Sequence, residues 1–493
     1  MTSAHPAPAT APHPLVEQPM HVRADVVVVG AGVIGLATAW ELRRRGRSVA
    51  VVDPEPGSGA SRAAAGMLAP VSEVQYQQEP LYPLMTASAA EYPAFVAALE
   101  QAAGGTVGHR ATETLVCGVD AADRQALADL RELQARHGMT VEQLSLRAAR
   151  ALEPALSPRL SAAFRIPDDH QVDPRGLVAG LLAALTAPQP SEPSESAQPP
   201  EPPEPPASPG SSRTPASSES PESSESPGPP RSPEGTGLPG LPGGRDGGPA
   251  RLVHGRATGL RRSAEGAVTG VRLADGGMVS ASWTVLAPGT GLGDFEELPE
   301  GWHPPLRPVH GDILRARAPD GAPELLERTV RGLVHGTPVY LVPRTDGTVV
   351  IGATSREDDL AGPSAGGVFR LLRDAQALVP GVADLELVEV LARARPGTPD
   401  DIPYLGRVRD PDGTPVPGLV VSTGYFRHGV LLAPLAARLA AQLVAGGAGP
   451  DPGADAEHLA TTDPHRFDRP VEARRGDPAP AAAGPGPGNR STR

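Results

Sequence analysis

Four clusters of residues in this chain have types and spacings that could do chemistry. The first is Gly30-Ala31-Gly32-Val33-Ile34-Gly35, with Asp53 18 residues past Gly35. Three glycines and an acid so spaced suit a dinucleotide. Gly30 permits a tight turn, Gly32 lets backbone approach a pyrophosphate, and Gly35 lets a helix sit close to a sheet. The N-terminus of that helix offers free N–H groups and a partial positive charge to phosphates. Asp53, followed by Pro54, is placed to accept ribose hydroxyls. The second cluster is Val339-Tyr340-Leu341-Val342-Pro343-Arg344, where Tyr340 and Val342 share one face of a strand by period-2 reading. The third runs from Ala394 to Gly406. Its Arg395 carries a planar fork that donates two parallel hydrogen bonds to a carboxylate. The fourth is a second glycine-rich turn entering a helix, Ser422-Thr423-Gly424-Tyr425-Phe426-Arg427-His428-Gly429-Val430-Leu431. Each cluster also has a plainer reading. The first could be a buried parallel strand with a glycine-rich turn. Tyr340 could be half-buried and satisfied locally, Arg395 could pair at the surface with Asp400 or Asp401, and His428 could be structural.

The elements that must position these residues are legible around them. Asp25–Val29 and Val49–Val52 read as buried strands flanking a helix that ends near Gly46. Helices are predicted over 80–105 and 121–137 and from Pro174 to about Leu185. A strand over 250–260 follows. Ala274-Asp275-Gly276-Gly277 joins Val268–Leu273 to Met278–Ala281 as a hairpin. Trp283–Ala287 reads as a buried strand entering a glycine turn. Residues 305–355 alternate as an antiparallel sheet does, two further strands fall at 385–393 and 418–423, and a helix spans about Val430–Leu443.

Composition bounds the rest. The chain has 493 residues and a net charge of −13, with no dominant basic cluster, which argues against nucleic acid. Its one cysteine, Cys117, excludes intrachain disulfides and thiolate zinc clusters, so no metal is expected. A single cysteine fits a reducing, cytoplasmic setting. No secretory leader is expected near the start, and no apolar run reaches the roughly 18 residues a membrane span needs. Residues 188–249 are almost wholly Pro, Ser, Glu and Gly, and Pro200–Pro206-type sequence cannot build sheet or helix. A disordered insertion is expected there, with disordered tails over 1–22 and 446–493.

Beyond the pattern itself, Ser61-Arg62-Ala63-Ala64-Ala65-Gly66-Met67-Leu68 and Arg395-Pro396-Gly397-Thr398-Pro399-Asp400 resemble the amine-oxidising flavoproteins of the D-amino-acid oxidase and sarcosine oxidase superfamily. Within it the chain is most similar to glycine oxidases of the ThiO type, linked to thiamine biosynthesis. The resemblance covers about 25–187 and 250–445. It implies an α/β fold, α+β overall, with a Rossmann-like FAD-binding domain intertwined with an antiparallel-sheet substrate domain. The FAD domain would take 23–79, 155–187, 250–300 and 395–445, and the substrate domain 80–154 and 301–394, with a short helix over 142–153. FAD would be held without a covalent bond, since no cysteine lies in the C-terminal half. Its contacts would be Gly30, Gly32, Val33, Ile34, Gly35, Asp53, Pro54, Ala60, Ser61, Ala65, Gly66, Met67 and Ala257. Tyr425, Phe426, Arg427, His428, Gly429, Val430 and Leu431 would run along the flavin. Tyr340, Arg395 and Arg427 would hold and orient the substrate.

The implied reaction is oxidation of glycine or another small amino acid by oxygen, giving the imine, then glyoxylate, ammonia and hydrogen peroxide. A thiazole-synthesis partner and a homo-oligomer fit that setting. Two alternatives stay open: an amine or D-amino-acid dehydrogenase using another acceptor, and a non-catalytic flavoprotein whose insertion docks partners. The chain departs from the family at His310, in the 335–338 loop and at Ser355, which bears on amine selectivity.

Overall fold

Val26–Val29 form a run of β-branched residues whose side chains on both faces are almost wholly buried. Such a strand needs cover above and below, which a parallel sheet with flanking helices provides. The computed structural model describes residues 20–187, 250–446 and 452–468 and builds that sheet. The expected insertion over 188–249 lies wholly outside these residues, as do most of the two expected tails.

The first sheet has eight strands. His21–Val29 pairs in parallel with Met278–Leu286 and Val49–Asp53. Arg251–His254 extends the parallel set beyond Val49–Asp53, and Pro415–Thr423 extends it beyond Met278–Leu286. Tyr404–Arg409 closes the edge antiparallel to Pro415–Thr423. The helix Val33–Arg44 lies between the first two strands in sequence, with Leu36, Ala37, Ala39 and Leu42 buried against a cluster that also takes in helices Pro174–Thr186 and Ala433–Ala445. Burying each such Leu contributes on the order of 1.5–3 kcal/mol, so this layer anchors the glycine turn at its head.

The second sheet also has eight strands, in the order Glu386–Gly397, Arg307–Arg317, Thr348–Gly352, Thr337–Pro343, Thr329–Val334, Thr114–Gly118, Ala162–Ile166, Glu142–Leu144. It is antiparallel except where Thr329–Val334 runs parallel to Thr114–Gly118. Cys117 is buried in its core as a small hydrophobe.

Four expectations need correction. The first residues of the helix expected over 142–153 form the strand Glu142–Leu144, paired with Ala162–Ile166, and the helix is confined to Leu146–Leu152. The Ala162–Ile166 strand, placed in the first domain by its position in 155–187, pairs in the second sheet instead. Its buried Ala163 packs with Leu115 and Cys117 there. The stretch 250–260 is two strands, Arg251–His254 and Ala257–Arg262, on different neighbours. The region past Gly446, expected to be an unstructured tail, contains a helix at Pro452–Thr461. Arg438 Nη1 donates to both Asp455 oxygens at 2.8 Å, and Gln442 Nε2 donates to Asp455 at 2.9 Å. The Gly-, Pro- and Ala-rich composition conceals these polar anchors. Among the described residues no helix is long and apolar enough to cross a membrane.

Candidate active site

A cavity of about 770 Å³ opens between the two sheets and is lined from both. At one end is the glycine turn. Gly30 has φ of +99°, and an added Cβ would lie 2.2 Å from the Ala287 carbonyl oxygen, so the turn itself demands glycine. At Gly35 a Cβ would lie 1.9 Å from the Gly30 carbonyl oxygen. Gly35 therefore sits behind the turn, where it sets helix–strand packing, and is the one expected cofactor residue that does not line the cavity. Gly32 differs. A Cβ there would meet only Ser61 Oγ, at 3.3 Å, yet the residue lines the cavity. The protein does not need a glycine at this position, whereas a phosphate lying against the backbone would.

The helix beginning at Val33 has no side-chain cap on Gly32 and no acid in its first turn. Ser61 Oγ accepts from the Val33 N–H at 3.0 Å. The remaining positive end faces the cavity, as an anion site requires. Asp53 closes the turn: Oδ2 accepts from the Ala31 N–H and Oδ1 from the Glu55 N–H, each at 2.7 Å. A carboxylate has about four acceptor positions, so two remain for hydroxyls.

Pro54, Ala60, Ser61, Ala65, Gly66, Met67 and Ala257 also line the cavity, as do Val33 and Ile34. The 65–67 stretch is held from behind by the last residue of the second cluster, to which the sequence assigned no role. Arg344 is buried and donates to the Ala65 carbonyl, the Val172 carbonyl at 3.0 Å and Gln171 Oε1 at 3.0 Å. Burial lowers its pKa to about 10.

At the other end, Tyr340, Arg395 and the 425–431 turn come together on the cavity wall. Arg395 is not a surface arginine. Asp400 and Asp401 are taken by Arg466 and Arg307 instead. Arg395 Nη1 donates to the Thr354 carbonyl at 3.2 Å, and the guanidinium fills the space that a Gly311 side chain would occupy. Tyr340 stands over Gly352, where a Cβ would lie 2.4 Å from its hydroxyl. Burial pushes the Tyr340 hydroxyl up and the Arg395 guanidinium down, while each favours the charged form of the other.

Arg427 is exposed to the cavity, stacks on Phe426 at 4.9 Å and donates to Gln75 Oε1 at 3.2 Å. Phe426 takes a left-handed φ of +45°, and its N–H donates to the Pro396 carbonyl at 2.9 Å. Tyr425 and Ser422 share a hydrogen bond of 2.8 Å between their hydroxyls. His428 is 2% exposed, and its Nε2 has no partner. Burial pushes its pKa down to about 4, so it is neutral at ordinary pH. Gly429, Val430 and Leu431 complete this wall. An open backbone cradle at Gly32, a helix end with no acid in its first turn and an unpartnered buried imidazole on one cavity all fit a long phosphate-bearing cofactor.

Sequence reading missed a further ion pair here. Glu73 accepts from Arg331 Nη1, with the two side chains 11% and 15% exposed. Burial raises the Glu73 pKa, but Arg331, Arg427 and His428 more than offset it and hold the carboxyl at about 2. Glu73 was the lone acid of the otherwise uncharged stretch Leu68–Val74, a signal that could have been read. Among the described residues no group of three or more His, Cys, Asp or Glu is placed to hold a metal ion.

Comparison with known proteins agrees with this geometry. Residues 25–188 and 245–443 match the family described as FAD dependent oxidoreductase. Glycine oxidase of Geobacillus kaustophilus is 30% identical over 425 residues, covering 86% of this chain and 93% of its own. The bifunctional protein ThiO/ThiG of Synechocystis sp. is 29% identical over 436 residues, covering 86% of this chain. The chain spans about half, 52%, of that relative's length. A crystal structure of the Geobacillus kaustophilus glycine oxidase superposes with a TM-score of 0.69 at 28% identity, over 90% of this chain and 99% of that one. From its cavity and from these matches, the chain belongs to the FAD dependent oxidoreductase family.

Proposed function

We propose that this protein oxidises glycine, or another small amino acid, to its imine, which hydrolyses to the 2-oxo acid and ammonia. The single observation that carries the reading is the partly buried Arg395 beside Tyr340 on the wall of the dinucleotide cavity. A guanidinium partly withdrawn from water on a cavity wall favours an anion there, and an amino acid carboxylate is a planar one.

FAD, when bound, supplies acceptance of two electrons from the substrate Cα–H and their return to oxygen as hydrogen peroxide. The glycine turn, Asp53, Ala60, Ser61 and the 65–67 stretch would hold its phosphates, ribose and ring without a covalent link. The chain's residues do the rest by placement. Arg395 donates to the carboxylate and the Tyr340 hydroxyl donates beside it, which fixes the Cα–H relative to the 425–431 turn. Arg427 adds positive charge at the same end. His428 stays neutral on the cavity wall. The strands at 26–29 and 278–286 would then belong to a cofactor domain and the second sheet to a substrate domain.

The product suits thiazole synthesis, a reading supported by the ThiO/ThiG relatives and by a putative thiamine biosynthesis oxidoreductase of Rhizobium etli, 27% identical over 83% of this chain. The test is aerobic incubation of the FAD-loaded protein with glycine. Glyoxylate, ammonia and peroxide should form in equal amounts. Oxidation supported by an artificial dye but not by oxygen would replace the oxidase reading with a dehydrogenase.

A further inference from the structure

The substrate end of the cavity holds a carboxylate that the reaction above leaves unused. Four acids line the cavity: Asp53, Glu55, Glu73 and Asp294. Among them Glu73 is the one that bears electrostatically on both Tyr340 and Arg395. Its position is rigidly set. Asp169, fully buried, accepts from the Val71 N–H at 3.1 Å and the Ser72 N–H at 3.2 Å. Gln134 Nε2 donates to the Val71 carbonyl at 2.9 Å. The Glu73 carboxylate is half satisfied. Oε1 is taken by Arg331 Nη1, and among the described residues no group donates to Oε2.

We infer that Glu73 is a specificity-determining residue that accepts an N–H from the substrate's amino group through Oε2, so that the site selects amino acids over carboxylic acids lacking nitrogen. The inference rests on the proposed substrate class. Its physical basis is that Glu73, partly buried on the cavity wall, gives up water when a ligand fills the cavity, so a ligand that supplies a donor gains over one that does not. Arg331 keeps Glu73 ionised, which makes it an acceptor only and a poor base. Glu73 thus orients the amine without taking its proton. Arg395 and Glu73 together recognise the two ends of an amino acid, one a planar anion and the other a donor.

The test compares Glu73→Gln with the unaltered protein, both FAD-loaded, using matched ligands: each amino acid that wild type oxidises and its nitrogen-free counterpart, glycine with acetate and alanine with propionate. Binding is followed through perturbation of the flavin's visible spectrum, which also verifies cofactor loading. Glutamine presents an amide that cannot serve as an anionic acceptor, and the local charge becomes more positive. Binding of the amino acid should weaken at least tenfold, while the nitrogen-free acid binds as before or more tightly. Parallel weakening of both ligands would overturn the inference, because it would mark Glu73 as a wall residue. So would no change in either. If Glu73→Gln fails to load FAD, Glu73→Asp is read by the same ratio, since it keeps the charge but withdraws the oxygens. A wild-type protein that binds neither amino acid nor carboxylate would instead refute the substrate class and the inference with it.

Discussion

Replacing Gly311 by alanine should disable carboxylate recognition while leaving the fold intact. The added Cβ would lie 2.3 Å from both Arg395 Nη1 and Nη2 and 2.5 Å from Cζ. Ordinary contact begins near 3.4 Å, so the guanidinium has to withdraw by about 1.1 Å. The atoms displaced are the far end of a flexible side chain, and Gly311 does not have a left-handed φ, so the backbone accepts alanine. The cost falls on recognition. A charge-assisted hydrogen bond contributes roughly 1.5–3 kcal/mol, so its loss corresponds to roughly 10- to 150-fold. The assay is titration of the FAD-loaded variant with acetate and glycine, alongside thermal unfolding. Both ligands should weaken by that factor, with Tm nearly unchanged. Unchanged ligand binding would refute the claim that Arg395, in this position, holds the carboxylate.

Three further outcomes follow from the same geometry. Gly32→Ala should fold normally but bind FAD less tightly, whereas Gly30→Ala and Gly35→Ala, whose new Cβ atoms strike backbone oxygens at 2.2 and 1.9 Å, should lower the Tm of the cofactor-free protein; cofactor titration and apo-protein melting separate the two effects. Arg344→Met should remove the donor to the Ala65 and Val172 carbonyls, costing roughly 1–3 kcal/mol for an acceptor left unmet, and reduce FAD retention on gel filtration. The pKa of His428 is lowered from 6.5 to about 4, so the unfolded chain takes up its proton first as pH falls. His428 therefore contributes stability that is fully present above pH 6.5 and lost toward pH 4, by up to about 3 kcal/mol. Denaturant unfolding of His428→Asn should show a shallower loss than wild type across that window, and an identical slope would contradict a buried neutral imidazole.

Much of the nucleotide end was legible because its requirements are local. Gly30, Gly32, Gly35 and Asp53 lie in one strand–helix–strand unit, and their steric roles follow from spacing alone. Tyr340 and Arg395 could be singled out as chemistry-bearing, but not how they come to meet. That depends on Gly352 and Gly311 vacating space on neighbouring strands, which appears only once the strands are in register. The Glu73–Arg331 pair and the Arg344 bracket join residues far apart in the chain, and no periodicity encodes such a pairing. The Pro452–Thr461 helix was lost for a different reason. Its few anchors, Asp455 above all, are diluted in a Gly-, Pro- and Ala-rich segment that reads as tail.

The most direct measurement is anaerobic mixing of the FAD-loaded protein with glycine while the visible flavin absorbance is followed. The account predicts that the yellow colour bleaches and returns on admitting air, with one peroxide formed per turnover. A stable yellow protein that no small amino acid bleaches would contradict it.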